Sequence, residues 1–223
     1  GGESSRPGAQ SVPPDEELRR VVPVIAALAR QTDCLLSVDT TKAVVAAEAL
    51  AAGAHLINDI TALTGDPAMA GVARDAGAGV VLMHMQGTPG TMQQDPRYAD
   101  VVAEVRDYLR ERIRVLEASG LARDTMAVDP GIGFGKSVEH NAALLGRLED
   151  LGELGRPMVV GVSRKSFLGH LTGRALPDRL VPSLAAMVYA LARGAHVVRV
   201  HDVKESCELA RMVAMFNHAK GLR

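Results

Sequence analysis

Residues 126–137 read Met-Ala-Val-Asp-Pro-Gly-Ile-Gly-Phe-Gly-Lys-Ser. A short apolar run ends in Asp129, and Pro130 and three alternating glycines then lead to Lys136. This order is typical of a chain that leaves a buried strand, presents a carboxylate and passes close to a ligand. The end of the stretch matches a phosphate-binding P-loop, but Pro130 stands where the first glycine is required and has no N–H to donate. The stretch therefore predicts a strand followed by a functional loop of another kind.

The pattern of an apolar strand followed by a helix recurs along the chain. Six predicted strands cover residues 35–39, 56–59, 79–84, 126–129, 158–161 and 197–200. Near-continuous apolar strands are typical of a parallel sheet that is covered on both faces. The pattern favours a (β/α)₈ TIM barrel, in which the carboxyl ends of all strands meet on one face. An open doubly wound sheet is the alternative, and it would bring fewer of these ends together.

The composition excludes several classes of protein. Hydrophobic residues make up 47% of the 223 residues and aromatic residues only 3%, which suits an α/β core of small branched side chains. The net charge of −1 argues against a nucleic-acid partner. Because no apolar run approaches 18 residues and no signal peptide is visible, we expect a soluble cytoplasmic protein without a membrane partner. Cys34 and Cys207 are expected to be buried thiols.

Polar residues follow almost every predicted strand. Each of them has an ordinary structural explanation when it is taken alone. These explanations are a helix cap for Asp39, turn chemistry for Asn58 and Asp59, packing for His84, a solvated pair for Arg164 and Lys165, and an ion pair with Asp202 for Arg199. Lys136, at the end of the opening stretch, is expected to belong to the start of the next helix.

The combination of these residues indicates a binding site. Carboxylates, an amide and an ammonium group at converging strand ends can bind a flat heterocycle through its donors and acceptors. Arg199 and His201 lie two residues apart and form a predicted anion clamp. Ser5 and Arg6, in a loop framed by Gly and Pro, add donors for the same anion. A heterocycle at one end and a polyanion at the other suggest group transfer with a diphosphate leaving group.

Six motifs of the chain form a recognisable set. They are Gly1–Ala9, Ser37–Thr40, Ile57–Asp59, Asp129–Lys136, Ser163–Ser166 and Arg199–Val203. Together they resemble the dihydropteroate synthase family, whose order they follow over essentially the whole chain. Their combination is far more specific than any one of them.

The resemblance implies a fold and a reaction. The fold is a (β/α)₈ barrel with residues 1–223 in a single domain. The reaction joins 6-hydroxymethyl-7,8-dihydropterin diphosphate to p-aminobenzoate, with Mg²⁺ assisting, and gives 7,8-dihydropteroate and pyrophosphate. Sulfonamides are expected to compete with p-aminobenzoate. The resemblance also implies a homodimer formed through the last three helices.

The resemblance assigns a role to each matching residue. The carboxylate of Asp129 would accept from the pterin 2-amino and ring N–H groups, and Lys165 would donate to its 4-oxo and N5 side. The catalytic set is Lys165, Asp39, Arg199 and His201; the pterin set is Asp39, Asn58, Asp129, Lys165, Met83 and Gly161; the diphosphate set is Ser5, Arg6, Arg199 and His201; the p-aminobenzoate set is Ser5, Pro7, Phe134, Lys165 and Ser166.

The chain departs from the family pattern at its N-terminus. The family begins with a strand and a mobile loop that carries an Asn, which helps to bind metal and diphosphate. We expect the first strand, the first helix and most of the second strand to be absent from this chain, so that it contains no metal ligand and needs further N-terminal residues for activity. Ser5 also stands where the family often has Thr, and because the hydroxyl is kept we expect little change.

Two other functions are compatible with the same residues. A pterin-binding methyltransferase on the same barrel would bind methyltetrahydrofolate and would have no use for Arg199 and His201. A catalytically silent pterin-binding paralogue would bind the pterin without turnover. Titration with pyrophosphate and an assay with p-aminobenzoate distinguish these alternatives.

Overall fold

A computed structural model describes residues 2–220 of the chain, so Gly1 of the first motif lies outside the described residues. The strands form where apolar runs were predicted, although several are shorter than expected. They are β1 (Ser37–Asp39), β2 (Leu56–Asp59), β3 (Gly79–Met83), β4 (Met126–Asp129), β5 (Val159–Val160) and β6 (Val197–Val198).

All of these strands are parallel and follow one another in chain order. One sheet has the order β1-β2-β3-β4, with Val38 opposite Ile57 in the first pair, and β5 pairs with β6. A bridge between Val128 and Met158 connects the two sheets. A doubly wound sheet would reverse its strand order at a switch point, and the described strands do not. They therefore form six consecutive units of a (β/α)₈ barrel, and the doubly wound alternative is wrong.

The helices surround the strands and pack in chain order. Contacts join α1 to α2, α2 to α3 and each successive pair from α4 to α8. Their bounds are α1 (Pro14–Ala29), α2 (Ala43–Ala51), α3 (Met69–Asp75), α4 (Val101–Ala118), α5 (Val138–Gly146), α6 (Ser166–Thr172), α7 (Leu180–Ala192) and α8 (Val203–Lys220), with 3₁₀ turns at Arg123–Thr125, Leu148–Leu154 and Leu176–Asp178.

The core lies between the strands and this helical layer. Ile57, Leu82, Val128 and Val160, one from each of four strands, are completely buried. The helices add Leu109, Leu144 and other buried aliphatic side chains to the same cluster. Because small branched side chains fill both faces of the strands, the polar residues are confined to the strand ends.

The two cysteines are more exposed than the sequence predicts. Cys34 and Cys207 are free thiols but both are exposed, so the prediction that they are buried is wrong. Cys34 lies in the loop before β1, and Cys207 lies on α8, which has few buried positions. No helix within residues 2–220 has both the length and the apolar character that crossing a membrane requires.

Leu82→Ala tests the central position of β3 in the core. The substitution leaves a cavity beside Val128, its register partner on β4, and should reduce the free energy of unfolding by about 2–5 kcal/mol. The matched control is Leu28→Ala on the outer surface of α1, where the side chain is 41% exposed and the loss should stay below about 1 kcal/mol. Equal losses in urea denaturation would contradict this description of the core.

Candidate active site

The carboxyl ends of the strands surround a narrow cleft at the centre of the barrel. It shares Asp39, Phe134 and Lys165 with a wider cavity of about 590 Å³. Every residue that the sequence assigned to the site lines one or both of these spaces. The cleft is lined by Ser5, Asp39, Asn58, Met83, Asp129, Phe134, Gly161, Lys165 and Arg199. The wider cavity adds Arg6, Pro7, Ser166 and His201.

Asp129 presents a buried carboxylate to the cleft. Its Oδ1 accepts a hydrogen bond of 2.7 Å from the backbone N–H of Gly131. Burial raises the pKa of Asp129, and this bond together with the charges of Lys165 and Lys136 opposes the rise. An incoming group with several N–H donors would replace the solvation that this carboxylate has lost.

The glycine loop that follows crosses directly over the end of β3. Gly131 has φ +68°, and a Cβ at this position would collide with the carbonyl oxygen of His84. Gly135 has φ +62°, and a Cβ there would lie 2.4 Å from the carbonyl oxygen of Gln86, which is also too close. Any side chain at these two positions would push the loop away from the strand, so the glycines determine the position of Phe134 between them.

Lys136 has a different role from the one predicted. Its ammonium group is buried and contacts Nδ1 of His84 at 3.0 Å and the carbonyl oxygen of Phe134 at 2.9 Å. Ser137 caps the next helix together with His140. The expectation that Lys136 belongs to the helix start is therefore wrong: it anchors the glycine loop from inside. His84 is packed, as expected, against the ring of Tyr108.

Lys165 lies between the carboxylate and the aromatic ring of the loop. Its Nζ lies 4.1 Å from the ring centroid of Phe134, within range of a cation–π interaction. Burial lowers the pKa of Lys165 to about 8, while the charge of Asp129 opposes this and that of Arg199 adds to it. Lys165 is therefore not a solvated partner of Arg164. It can contact groups bound in either space.

Arg199 and Asp39 form an ion pair across the mouth of the cleft. Nη2 of Arg199 lies 3.1 Å from Oδ2 of Asp39, and the arginine side chain is 58% exposed. The predicted pairing of Arg199 with Asp202 is wrong, because Arg164 occupies Asp202. Arg164 adopts φ +58°, lines the wider cavity and donates from its guanidinium to Asp202. Arg199 is thus held by a weak exposed pair that an anion can replace.

His201 lies beside Arg199 at the rim. Its Nδ1 is 3.0 Å from the hydroxyl of Ser163, and its backbone N–H donates to the same oxygen at 3.2 Å. Burial lowers the pKa of His201, and the charges of Arg164 and Arg199 lower it further. At neutral pH the ring is neutral and can donate one hydrogen bond to an anion.

Asn58 is a site residue, whereas Asp59 has a structural role. Asn58 lines the cleft, whereas the buried carboxylate of Asp59 accepts from the backbone N–H groups of Thr61 at 2.7 Å and Leu63 at 3.2 Å. Alternation along β2 places the two side chains on opposite faces. Asp59 therefore has the turn role that the sequence left open for both residues.

The comparison with known proteins agrees with this arrangement. The pterin binding enzyme family matches residues 1–201. The dihydropteroate synthase of Escherichia coli (strain K12) is 47% identical over 220 residues, which cover 99% of this chain and 78% of that protein. The chain belongs to the dihydropteroate synthase family.

Solved structures of the family have the same fold. The Yersinia pestis dihydropteroate synthase with a sulfonamide drug complex matches with a TM-score of 0.94 and 44% identity, covering 98% of this chain and 78% of that one. The Xanthomonas albilineans enzyme in complex with 7,8-dihydropteroate matches with a TM-score of 0.86 and 43% identity, covering 96% of this chain and 77% of that one.

Sequence reasoning missed several residues that shape the cavity. Met92 and Arg179 line it, and the side chain of Gln93 donates to the carbonyl oxygen of Gly133 at 2.8 Å. The hydroxyl of Tyr98 donates to the carbonyl oxygen of Gly135 at 2.8 Å. The Gly/Pro/Gln-rich composition of residues 85–98 was the available signal, because such loops often border sites.

Lys136→Met tests the buried anchor through the pH dependence of stability. Burial lowers the pKa of Lys136 from its ordinary 10.5 to about 7, and the charge of Asp129 only partly opposes this. Between these pH values the unfolded chain binds more protons at this position, so Lys136 makes stability rise with pH. The free energy of unfolding of the unsubstituted chain minus that of Lys136→Met should therefore increase from pH 7 to pH 9.

The matched control is Lys204→Met, which replaces an exposed lysine of α8. Its free energy of unfolding should run parallel to that of the unsubstituted chain over the same pH range. Parallel profiles for Lys136→Met as well would show that Lys136 is not buried as described.

Proposed function

We propose that this chain carries out the dihydropteroate synthase reaction, joining 6-hydroxymethyl-7,8-dihydropterin diphosphate to p-aminobenzoate and releasing pyrophosphate. The observation that carries the proposal is the polarity of the continuous cleft and cavity. A buried carboxylate lies in the cleft, and Arg6, Arg199 and His201 lie at the wider end. A substrate with N–H donors at one end and a diphosphate at the other matches this order.

The pterin occupies the narrow cleft in this proposal. Asp129 accepts hydrogen bonds from the 2-amino and ring N–H groups, and Asn58 supplies an amide beside it. Lys165 donates to the 4-oxo and N5 side, for which its half-buried ammonium is placed between Asp129 and Phe134. Met83 and Gly161, which also line the cleft, provide flat surfaces for the ring.

The diphosphate binds at the rim. It replaces Asp39 as the partner of Arg199, and Ser5, Arg6 and His201 add further donors from two sides of the cavity. Release from Arg199 leaves the Asp39 carboxylate free beside the pterin methylene. These donors are aimed at the oxygens that gain charge as the diphosphate leaves.

The chemical step is a substitution at the pterin methylene carbon. The bond from this carbon to the diphosphate oxygen breaks first, and its electron pair leaves with the diphosphate. Asp39 and the surrounding dipoles stabilise the delocalised cation. The neutral amine of p-aminobenzoate then forms the C–N bond and loses one proton to solvent. Ser5, Pro7, Phe134, Lys165 and Ser166 hold the p-aminobenzoate, and sulfonamides compete for the same place.

We also propose that Mg²⁺ binds together with the diphosphate. Mg²⁺ is often bound through substrate phosphates and only one or two carboxylates. Among residues 2–220 there is no group of three or more His, Cys, Asp or Glu that could hold a metal ion. The described residues therefore do not form a metal cage of their own, and no step is assigned to the ion.

We also propose that the protein is a cytoplasmic homodimer with a single domain. Exposed apolar side chains on the last two helices support a homodimer; they include Val181, Tyr189, Val203, Met212, Met215 and Phe216. Two free exposed thiols support a reducing compartment such as the cytoplasm. One continuous apolar cluster, with members from α1 to the loop before β6, supports a single domain for residues 1–223.

An assay of product formation tests the proposal. The full-length protein that contains this chain is incubated with the pterin diphosphate, p-aminobenzoate and Mg²⁺, and dihydropteroate and pyrophosphate should appear in equal amounts. In calorimetry, pyrophosphate should strengthen pterin binding. Absence of this enhancement would favour the methyltransferase, and pterin binding without turnover would favour the silent paralogue.

Two substitutions separate the roles of the cations. Lys165→Ala should weaken the binding of both substrates. Arg199→Ala should weaken the binding of the pterin diphosphate by about 10- to 100-fold, because a charge-assisted hydrogen bond is lost. Binding of a pterin without the diphosphate should be lowered only by Lys165→Ala. Arg114→Ala, on the exposed surface of α4, is the matched control. An equal effect of Arg199→Ala on both pterins would refute its assignment to the diphosphate.

A further inference from the structure

A buried ionic cluster lies behind the N-terminal loop and has no part in the chemistry described above. Nζ of Lys42 is 2.7 Å from Oε2 of Glu3 and 2.6 Å from Oε2 of Glu17. The Glu17 side chain is completely buried, and the other two are 18% (Lys42) and 26% (Glu3) exposed. One ammonium group thus joins three segments that are distant in sequence: the N-terminal loop, α1 and the junction between β1 and α2.

The cluster closes the base of the loop that carries Ser5 and Arg6. Oε2 of Glu3 also accepts from the backbone N–H of Val12 at 2.6 Å, which brings the two ends of this loop together. Gly2 packs so tightly against Glu17 that a Cβ at this position would lie 2.8 Å from the Glu17 Cγ. The start of the loop is therefore fixed against α1.

The same lysine is connected to the catalytic strand end. Lys42 follows Asp39 by three residues and lies immediately before α2. Its backbone N–H donates to the Thr40 hydroxyl at 3.2 Å. A shift of Lys42 would move both the carboxylate beside the reacting carbon and the donors that hold the diphosphate.

The charges of the cluster are strongly interdependent. Burial alone would lower the pKa of Lys42, but hydrogen bonds to Glu17 and Glu3 outweigh burial and raise it. Oε1 of Glu17 is buried and finds no hydrogen-bond partner in the described part of the chain. Removal of Lys42 would leave this carboxylate buried without a counter-charge, which is strongly destabilising. Removal of the Glu3 charge leaves the Lys42–Glu17 pair intact.

We propose that the Glu3–Lys42–Glu17 cluster is a positioning device that fixes the Ser5–Arg6–Pro7 loop relative to Asp39 for binding of the diphosphate and p-aminobenzoate. The proposal rests on the proposed function for its kinetic consequence. The Glu3 side chain borders the wider cavity, but its Oε2 is engaged by Lys42 and by the backbone N–H of Val12. Glu3 therefore acts by holding the loop, and Lys42 acts by holding the strand end. Ordering the loop before binding removes an entropic cost that each substrate would otherwise have to overcome.

Glu3→Gln tests the device without removing the buried pair. The KM values for both substrates should rise about 2- to 10-fold, the factor expected from re-ordering one or two side chains on binding. The kcat should change little, because the groups around the reacting carbon are unaltered. Lys42→Arg, which keeps the charge, should stay close to the unsubstituted enzyme. Glu208→Gln, on the exposed surface of α8, is the matched control.

Hydrogen exchange measures the loop independently of turnover. The backbone N–H groups of Gly8 and Ala9 donate to the carbonyl oxygens of Pro89 and Arg6 at 3.1 and 3.0 Å. Peptides covering residues 4–10 should exchange faster in Glu3→Gln than in Glu208→Gln, at equal thermal stability. Unchanged exchange and unchanged KM values would overturn the positioning role. A full-length protein without substitutions that forms no product would contradict the proposed function, whereas the exchange result would still decide whether the cluster holds the loop.

Discussion

The contact between the backbone of Gly131 and the carbonyl of His84 is the constraint on which the site depends. It brings the loop after β4 over the end of β3, and it is possible only because residue 131 has no Cβ and can adopt a positive φ. The ammonium group of Lys136 donates to the carbonyl oxygen of Phe134 in this loop, and Oδ1 of Asn141 accepts a hydrogen bond of 2.7 Å from the N–H of Gly133. Phe134 is consequently held at the edge of the cleft, where its ring meets Lys165.

Burial is the main cause of the pKa shifts of the charged groups around this loop. Asp129, Lys136 and Lys165 share one poorly solvated region: both lysines oppose the rise in the pKa of Asp129, and Asp129 opposes the fall in the pKa of each lysine. A bound heterocycle would replace the missing solvent with hydrogen bonds to these groups. At the rim the opposite holds, because Arg199 and Asp39 are exposed enough for their ion pair to be exchanged for a diphosphate.

Much of the fold could be predicted because the strand signal is local. Apolar runs such as Gly79–Met83 end in a polar residue, and a parallel barrel collects those ends on one face. The same logic predicts that Asn58, Asp129 and Lys165 lie close together. It failed for Arg199, because Arg164 pairs with Asp202 and leaves Asp39 as the partner of Arg199, and for Lys136, whose burial depends on His84, more than forty residues away.

The sequence by itself determined the strand and helix order, the face of the barrel that carries the polar residues, and the polar residues at the strand ends, among them Asn58, Asp129 and Lys165. These properties follow from the periodicity of apolar side chains and from the glycines that only certain turns require. Only the tertiary structure decided which charges are paired and which are buried alone. The partners of Lys42, Arg164 and Lys136 come from distant segments, and the energy of a charge depends on the solvent that packing leaves around it.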